Sequence, residues 1–139
     1  MNIDLLEQAL ENDNNFSIIN TNIQEIKTKK NDILQNLGLK KDDLKSFHSK
    51  LKNYRYIDEI KDFKYGANIR WINLKKLDNI KITNGASLCD IKITSNGLGL
   101  CLKTYNNYFF TIFLNENLIF QRISQEEDVI LKAINYLSK

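Results

Sequence analysis

The chain has 139 residues, a formal net charge of +3 and 42% hydrophobic residues. This length suits about one domain, and the apolar fraction excludes a wholly disordered chain. No apolar run approaches the ~20 residues that a membrane-spanning helix needs. The start, Met1–Asp4, lacks the basic end and apolar stretch of a secretory signal. These features predict an intracellular, cytoplasmic protein without a membrane partner.

Residues that carry catalysis or bind metals are scarce. Two cysteines and one histidine cannot supply a disulfide framework or a zinc site of the usual spacing. His48 lies beside Ser46 and Ser49, but adjacent residues of a helix point in different directions, so a Ser–His pair is not expected. The sequence therefore predicts no catalytic residue, no metal ligand and no cofactor, and favours a protein that is not an enzyme.

The first half of the chain has the periodicity of helices. Apolar spacing predicts helices over residues 3–12, from Thr21 to Leu37 and over residues 41–53. Thr21 and Gln24 fit a capping box at the start of the second helix. Its apolar stripe, which Lys30 interrupts, is a candidate docking face for a partner helix or a second copy. The residues of that face are Ile23, Ile26, Ile33 and Leu37.

The glycine turn at Gly38 leaves two interpretations of these helices open. Two helices joined by such a turn are typical of a helix-turn-helix that reads DNA, and equally of a plain helical hairpin. The helix that would read the bases carries several lysines, but it has Asp42 and Asp43 and no Arg, Asn or Gln inside its length. The plain hairpin is therefore favoured.

The second half alternates with a period of two and predicts five strands and a final helix. The strands are predicted at 67–74, 87–94, 98–104, 108–114 and 118–123. Ser124 and Glu127 form a capping box at the start of the last helix. The fold class is therefore α+β, with N-terminal helices, a five-stranded antiparallel meander and a C-terminal helix. The predicted segments are a helical part, 1–60, and a sheet with its helix, 61–139, packed as one unit.

The strongest hairpin signal is Ser95-Asn96-Gly97. A two-residue turn at Asn96-Gly97 places Ile93 opposite Leu100, and puts Cys89 on the apolar face. Cys101 then lies on the other face, so the two thiols cannot form a disulfide. This register predicts a buried Cys89, two unpaired cysteines and a positive φ at Gly97.

The entry to the first predicted strand resembles a known fold. The segment Phe63–Arg70 is similar to the turn that opens the first strand of SH3-like barrels, including Tudor-like modules. This resemblance implies a small barrel, and a curled antiparallel sheet is the alternative. It implies no particular ligand, because such barrels bind peptides, nucleic acids or nothing.

Four further segments resemble a family of small proteins from large and giant DNA viruses that has no assigned activity. The segments are Tyr54–Glu59, Ile69–Leu74, Cys89–Ile93 and Ile119–Gln121. A composition of 19 Asn, 19 Ile and 17 Lys fits a chain encoded by A/T-rich codons. The resemblance implies the cytoplasm of an infected cell, a viral factory or the virion, and it implies no site residues.

Two functions fit these patterns. The favoured one is a protein-interaction or assembly module. The alternative is a nucleic-acid-binding protein, because basic and aromatic residues alternate in the predicted sheet as they do on single-strand-binding surfaces. In either case the candidate surface consists of Arg70, Trp71, Lys75, Lys92, Lys103 and Arg122.

Overall fold

The computed structural model describes residues 3–138, which form four α-helices and a six-stranded antiparallel sheet. The helices are α1 (Ile3–Glu11), α2 (Ile23–Gln35), α3 (Lys41–Lys50) and α4 (Gln125–Leu137), and a 3-10 segment, Asp13–Asn20, follows α1. The strands are β1 (Tyr54–Ile57), β2 (Asn68–Asn73), β3 (Ala86–Thr94), β4 (Gly97–Lys103), β5 (Phe109–Phe113) and β6 (Asn117–Arg122). Short 3-10 turns occupy Ile60–Asp62 and Leu114–Glu116. The α+β class is confirmed.

The strand order is β1-β6-β2-β3-β4-β5, so the prediction of a five-stranded meander is wrong in two respects. A sixth strand, β1, precedes the turn at Asp62, in a segment of only four residues that is too short for alternation to reveal it. The last strand, β6, pairs with β2 over five residues and does not pair with β5. Within residues 3–138 the sheet is open, with β1 and β5 as its edges.

The chain divides into two compact units, and the boundary runs through β1. Among the described residues, the first unit comprises the chain up to Arg55 and from Ile123 onward, and the second comprises residues 56–122. The predicted boundary after residue 60 therefore differs from the observed one, chiefly because α4 belongs with the N-terminal helices. The reason is packing, since the apolar stripe of α4 joins the first core through Ile130 and Leu131.

The first unit is a helical core with polar residues enclosed in it. Ala9, Ile18 and Ile26 form the core together with the α4 residues. The start of α2 differs from the prediction, because Asn22 is the N-cap and its side chain accepts the Glu25 N–H at 2.8 Å. Thr21 instead donates its hydroxyl to the Glu25 side chain. The predicted capping box at Ser124 and Glu127 is confirmed, with both hydrogen bonds present.

The second unit is a curled sheet around its own core. One sheet face supplies the buried residues Ile69, Ala86, Leu88, Leu100, Leu102 and Ile119. The Trp71 ring on β2 lies 5.5 Å from the Phe110 ring on β5, although two strands separate them in the sheet. Only a strongly curved sheet brings those two strands together across its concave side. The curvature therefore leaves the opposite face of β3, β4 and β5 on the convex side.

The β3–β4 hairpin corrects the predicted register. Thr94 pairs with Gly97 and Ile93 with Leu98, so the two loop residues are Ser95 and Asn96. Gly97 has the predicted positive φ, +120°, but it sits one place later in the turn than expected. The tight turn between β4 and β5 contains Asn107, whose φ is +65°.

Cys89 occupies a β-bulge, which is why its predicted burial is wrong. Leu88 pairs with Leu102 and Asp90 with Cys101, so Cys89 is the extra residue and Leu88 takes the core position. The Asp90 carboxylate accepts the N–H of Ile91 at 2.9 Å, which satisfies one backbone donor beside the irregularity. Cys89 is exposed, and the prediction that both thiols are unpaired is confirmed.

Candidate functional site

The predicted basic and aromatic surface is only partly brought together. Antiparallel pairing sets Trp71 beside Ile119 on the core face, and sets Arg70 beside Phe120 on the other face. Trp71 is half-buried against the core and against Phe110, so it is chiefly a packing residue. Arg70 is half-buried as well. These two neighbours in sequence therefore cannot serve one surface.

The remaining basic residues of that set lie in three places. Lys92 and Lys103 share the convex face of the β3–β4 hairpin, four residues apart along β4 and hence separated by about 13 Å. The Lys75 ammonium contacts the Glu116 carboxylate at 2.8 Å on the surface. Arg122 is exposed at the end of β6. Lys92 and Lys103 are therefore the two residues of the set that lie on the β3–β4 hairpin.

The predicted docking face of α2 is largely used inside the chain. Ile26 is buried in the first core and Ile23 packs against that core. Ile33 and Leu37 are half-buried. Lys30, the polar residue within the predicted stripe, is itself buried. Its ammonium donates hydrogen bonds to the Leu51 carbonyl at 2.8 Å and to the Tyr54 carbonyl at 2.9 Å. The buried side of α2 therefore includes Lys30, whose ammonium is hydrogen-bonded inside the chain.

A second buried polar group joins α4 to the N-terminal segment. Arg55 donates to the Ser17 hydroxyl at 3.0 Å and lies 3.9 Å from the Glu127 carboxylate. Glu127 also accepts the Ser124 N–H of its capping box at 3.0 Å. Both charged side chains are buried. This group holds elements together, and within residues 3–138 no three His, Cys, Asp or Glu side chains are placed to hold a metal ion.

Exposed aromatic residues concentrate where β4 turns into β5. Tyr105 is 100% exposed, Tyr108 64% and Phe109 57%. The Tyr108 ring stacks on Phe110 at 6.0 Å, and so extends the line of rings that begins at Trp71. A group of exposed rings leaves a contiguous apolar area in water, and such patches are typical of surfaces that contact a partner.

The convex side of β5 continues this aromatic group along the edge of the sheet. Phe109, Thr111 and Phe113 alternate onto that side, opposite Lys103, Cys101 and Gly99 of β4. A β-carbon built on Gly99 would lie 3.5 Å from Cε1 of Phe113, so the ring covers the glycine. Tyr108 borders the same edge of the sheet from the concave side, where it stacks on Phe110. We call the residues along this edge the β5 surface: Tyr105, Tyr108, Phe109, Thr111 and Phe113. The sequence shows that Tyr105, Tyr108 and Phe109 are aromatic, but no local sequence pattern shows that β5 is an edge strand.

Comparison with known proteins adds no assignment. No protein-family model matches the chain, and no curated protein or solved structure matches it. In the described residues, no helix is both long enough and apolar enough to cross a bilayer.

Proposed function

We propose that this protein is a non-enzymatic protein-interaction or assembly module that contacts its partner through the β5 surface. The observation that carries this proposal is the concentration of exposed rings at one end of the edge strand: Tyr105 and Tyr108 lie in the turn before β5, and Phe109 is the first residue of β5, which contains no charged residue. Aromatic anchors dominate the energetics of protein interfaces, and a sheet edge offers backbone hydrogen bonds besides. The sequence resemblance supports the further proposal that the module acts in a cell infected by a large DNA virus.

The connectivity of the second unit supports the resemblance to SH3-like modules. Strands β2 to β5 follow one another in the sheet, and a 3-10 turn, Leu114–Glu116, then leads to β6, which returns to β2. A last strand that pairs with the first is the arrangement of such barrels. Since β-modules of this size use their loops and edges to bind peptides, the connectivity agrees with an interaction role and does not by itself specify it.

The test uses a tagged full-length chain recovered from producing cells after nuclease treatment, with the bound proteins quantified. Replacing Tyr105 and Tyr108 by Ser should lower recovery of a specific protein partner at least tenfold, since losing a hot-spot ring costs about 2 kcal/mol. Tyr136→Ser on α4 is the matched control, because Tyr136 is about as exposed as Tyr108 but lies outside the β5 surface. The proposal would be refuted if recovery of the protein partner were the same for the double variant as for the wild type, or if nuclease treatment abolished that recovery.

Nucleic-acid binding is the second candidate, and one observation favours it. Lys92 and Lys103 share the convex face with Phe109 and Phe113, so ammonium groups and rings alternate there. Labelled single-stranded DNA and RNA should then bind with a strong salt dependence, and each of Lys92→Glu and Lys103→Glu should reduce the salt slope by about one. Binding without a salt slope, or no binding at low salt, removes this candidate.

A further inference from the structure

The free edge of β5 lacks the charges, prolines and bulges that protect many edge strands. Its five residues, Phe109–Phe113, pair with β4 in an unbroken register and contain no bulge, proline or charge. No other strand within residues 3–138 lies along the outer side. Exposed, regular and apolar edges are templates for pairing with a further strand, and natural proteins usually block them with charges or bulges. The outer edge of β5 is therefore open to strand addition.

The backbone groups that point away from β4 can be assigned from the turn. The Thr104 N–H donates to the Tyr108 carbonyl at 2.9 Å. Because bonded and non-bonded pairs alternate in an antiparallel ladder, Phe110 and Ile112 bond to β4. Phe109, Thr111 and Phe113 then direct their N–H and C=O groups outward. The Asn117 side chain donates to the Phe113 carbonyl at 2.9 Å, which agrees with an outward direction and leaves that oxygen a second lone pair.

The strand is complementary to itself about Thr111. If two copies run antiparallel with a two-fold axis at Thr111, Phe109 of each copy faces Phe113 of the other, and Phe110 faces Ile112. Aromatic and aromatic–aliphatic pairs across strands are favourable, and so is a Thr–Thr pair. The outward backbone groups of Phe109, Thr111 and Phe113 meet in this register and form about six hydrogen bonds. If the register between the two copies shifted by one residue, outward-directed residues of one strand would face residues of the other that already bond to β4, and these hydrogen bonds would be lost.

The charges near the edge permit the same arrangement. In the paired register, Lys103 of one copy and Lys92 of the other lie in one row but are four strand spacings apart. That distance is about 19 Å, more than twice the Debye length at physiological salt. No like charges therefore oppose each other at the axis, where both residues are Thr111.

We propose that the partner of the β5 surface is a second copy of this chain, joined by antiparallel β5–β5 pairing about a two-fold axis at Thr111. The proposal rests on the proposed function and names the occupant of the same surface. Such an interface is isologous, so it closes on two chains and does not by itself propagate.

The experiment measures the mass of the purified full-length chain by sedimentation over a wide concentration range. The wild type should reach twice the 16.3 kDa of the chain. Thr111→Lys and Thr111→Glu each place like charges at the axis and should each raise the dimer dissociation constant at least about tenfold. Mixing the two variants should restore a dimer, because a lysine of one copy then faces a glutamate of the other and the two charges attract. The control variant is Thr28→Lys, which changes an exposed threonine on α2, and it should dimerise like the wild type.

Hydrogen exchange on the unmodified protein gives a second measurement that needs no variant. The outward amides of Phe109 and Thr111 should become protected as concentration rises, while the Phe110 amide is protected throughout by β4. A chain that is monomeric at every concentration overturns the proposal, as does a dimer that Thr111→Lys leaves intact. A monomer that still captures another protein through Tyr105 and Tyr108 overturns only this inference, and the proposed function survives.

Discussion

Replacing Lys30 by Met tests how a buried ammonium supports the end of α3. Lys30 is buried, and its ammonium donates to the Leu51 carbonyl at 2.8 Å and the Tyr54 carbonyl at 2.9 Å. Leu51 is the C-cap of α3, so the cation also lies at the negative end of the helix dipole. Methionine preserves the apolar stem and removes only the charged donor, which makes Lys30→Met a selective change.

The expected loss of stability follows from these contacts. Two hydrogen bonds from a charged donor are each worth about 1.5–3 kcal/mol. Two effects offset part of this loss. The Leu51 carbonyl keeps the Tyr54 N–H at 3.0 Å, and the cost of burying the ammonium disappears with the charge. We expect a net loss of about 2 kcal/mol in the free energy of unfolding, or about 1 M in the urea midpoint.

Urea unfolding followed by circular dichroism at neutral pH measures this loss. Lys45→Met is the control, because Lys45 is exposed on α3 and its replacement should change stability by no more than about 0.5 kcal/mol. A Lys30→Met variant as stable as the wild type would refute the reasoning. It would mean that an apolar side chain at this position compensates fully for the two carbonyls.

The pKa of Lys30 adds a second signature to the same comparison. Burial, and then the nearby charge of Lys27, lower the pKa of Lys30 below its usual 10.5. Between the lowered pKa and 10.5 the unfolded chain binds more protons than the folded one, so this group makes the free energy of unfolding rise with pH. The stability advantage of the wild type over Lys30→Met should therefore grow across that alkaline range.

Three further predictions concern the turn, a tyrosine and the buried ion pair. Gly97→Val should cost about 1–3 kcal/mol because Gly97 has a φ of +120°, and an unchanged melting temperature would contradict this. Burial, and then Asp58, raise the pKa of Tyr56 above its usual 10.0, so one tyrosine should ionise late in an absorbance titration, and Asp58→Asn should bring it earlier. For the same reason, this group makes stability fall as pH rises above 10.0 toward the raised pKa. Glu127→Ala should cost about 3 kcal/mol or more in denaturant unfolding, since it removes the side-chain hydrogen bond of the capping box to the Ser124 N–H and leaves Arg55 buried without the carboxylate.

The features that sequence analysis predicted correctly depend on residues close together in the chain. The capping box joins Ser124 to Glu127, and the turn at Gly97 needs a positive φ angle that Gly adopts readily. Helices α1 to α4 follow a period that their own residues set. Each of these is decided within a few residues, so the sequence contains all the information required.

The predictions that were wrong concern choices between distant partners. The Cys89 bulge reverses the faces of β3, and no local pattern marks it because Cys89 and Leu88 are both apolar. The candidate surface also depends on distant contacts, since strand pairing puts Lys92 and Lys103 on one face and no local pattern marks β5 as the edge beside Tyr105, Tyr108 and Phe109. Trp71 was chosen for its chemistry, yet the curl of the sheet directs it onto Phe110.

By itself the sequence determined the α+β class, the approximate position of every long helix and of five strands, and two unpaired cysteines. Only the tertiary structure decided that β6 pairs with β2, that β5 is an edge, and that Lys30 is buried in an apolar stripe. Local propensity and turn chemistry act within a few residues, whereas strand order depends on which distant faces bury the most apolar area together. The exposed edge of β5 follows from that second kind of choice, and the candidate surface follows from the edge.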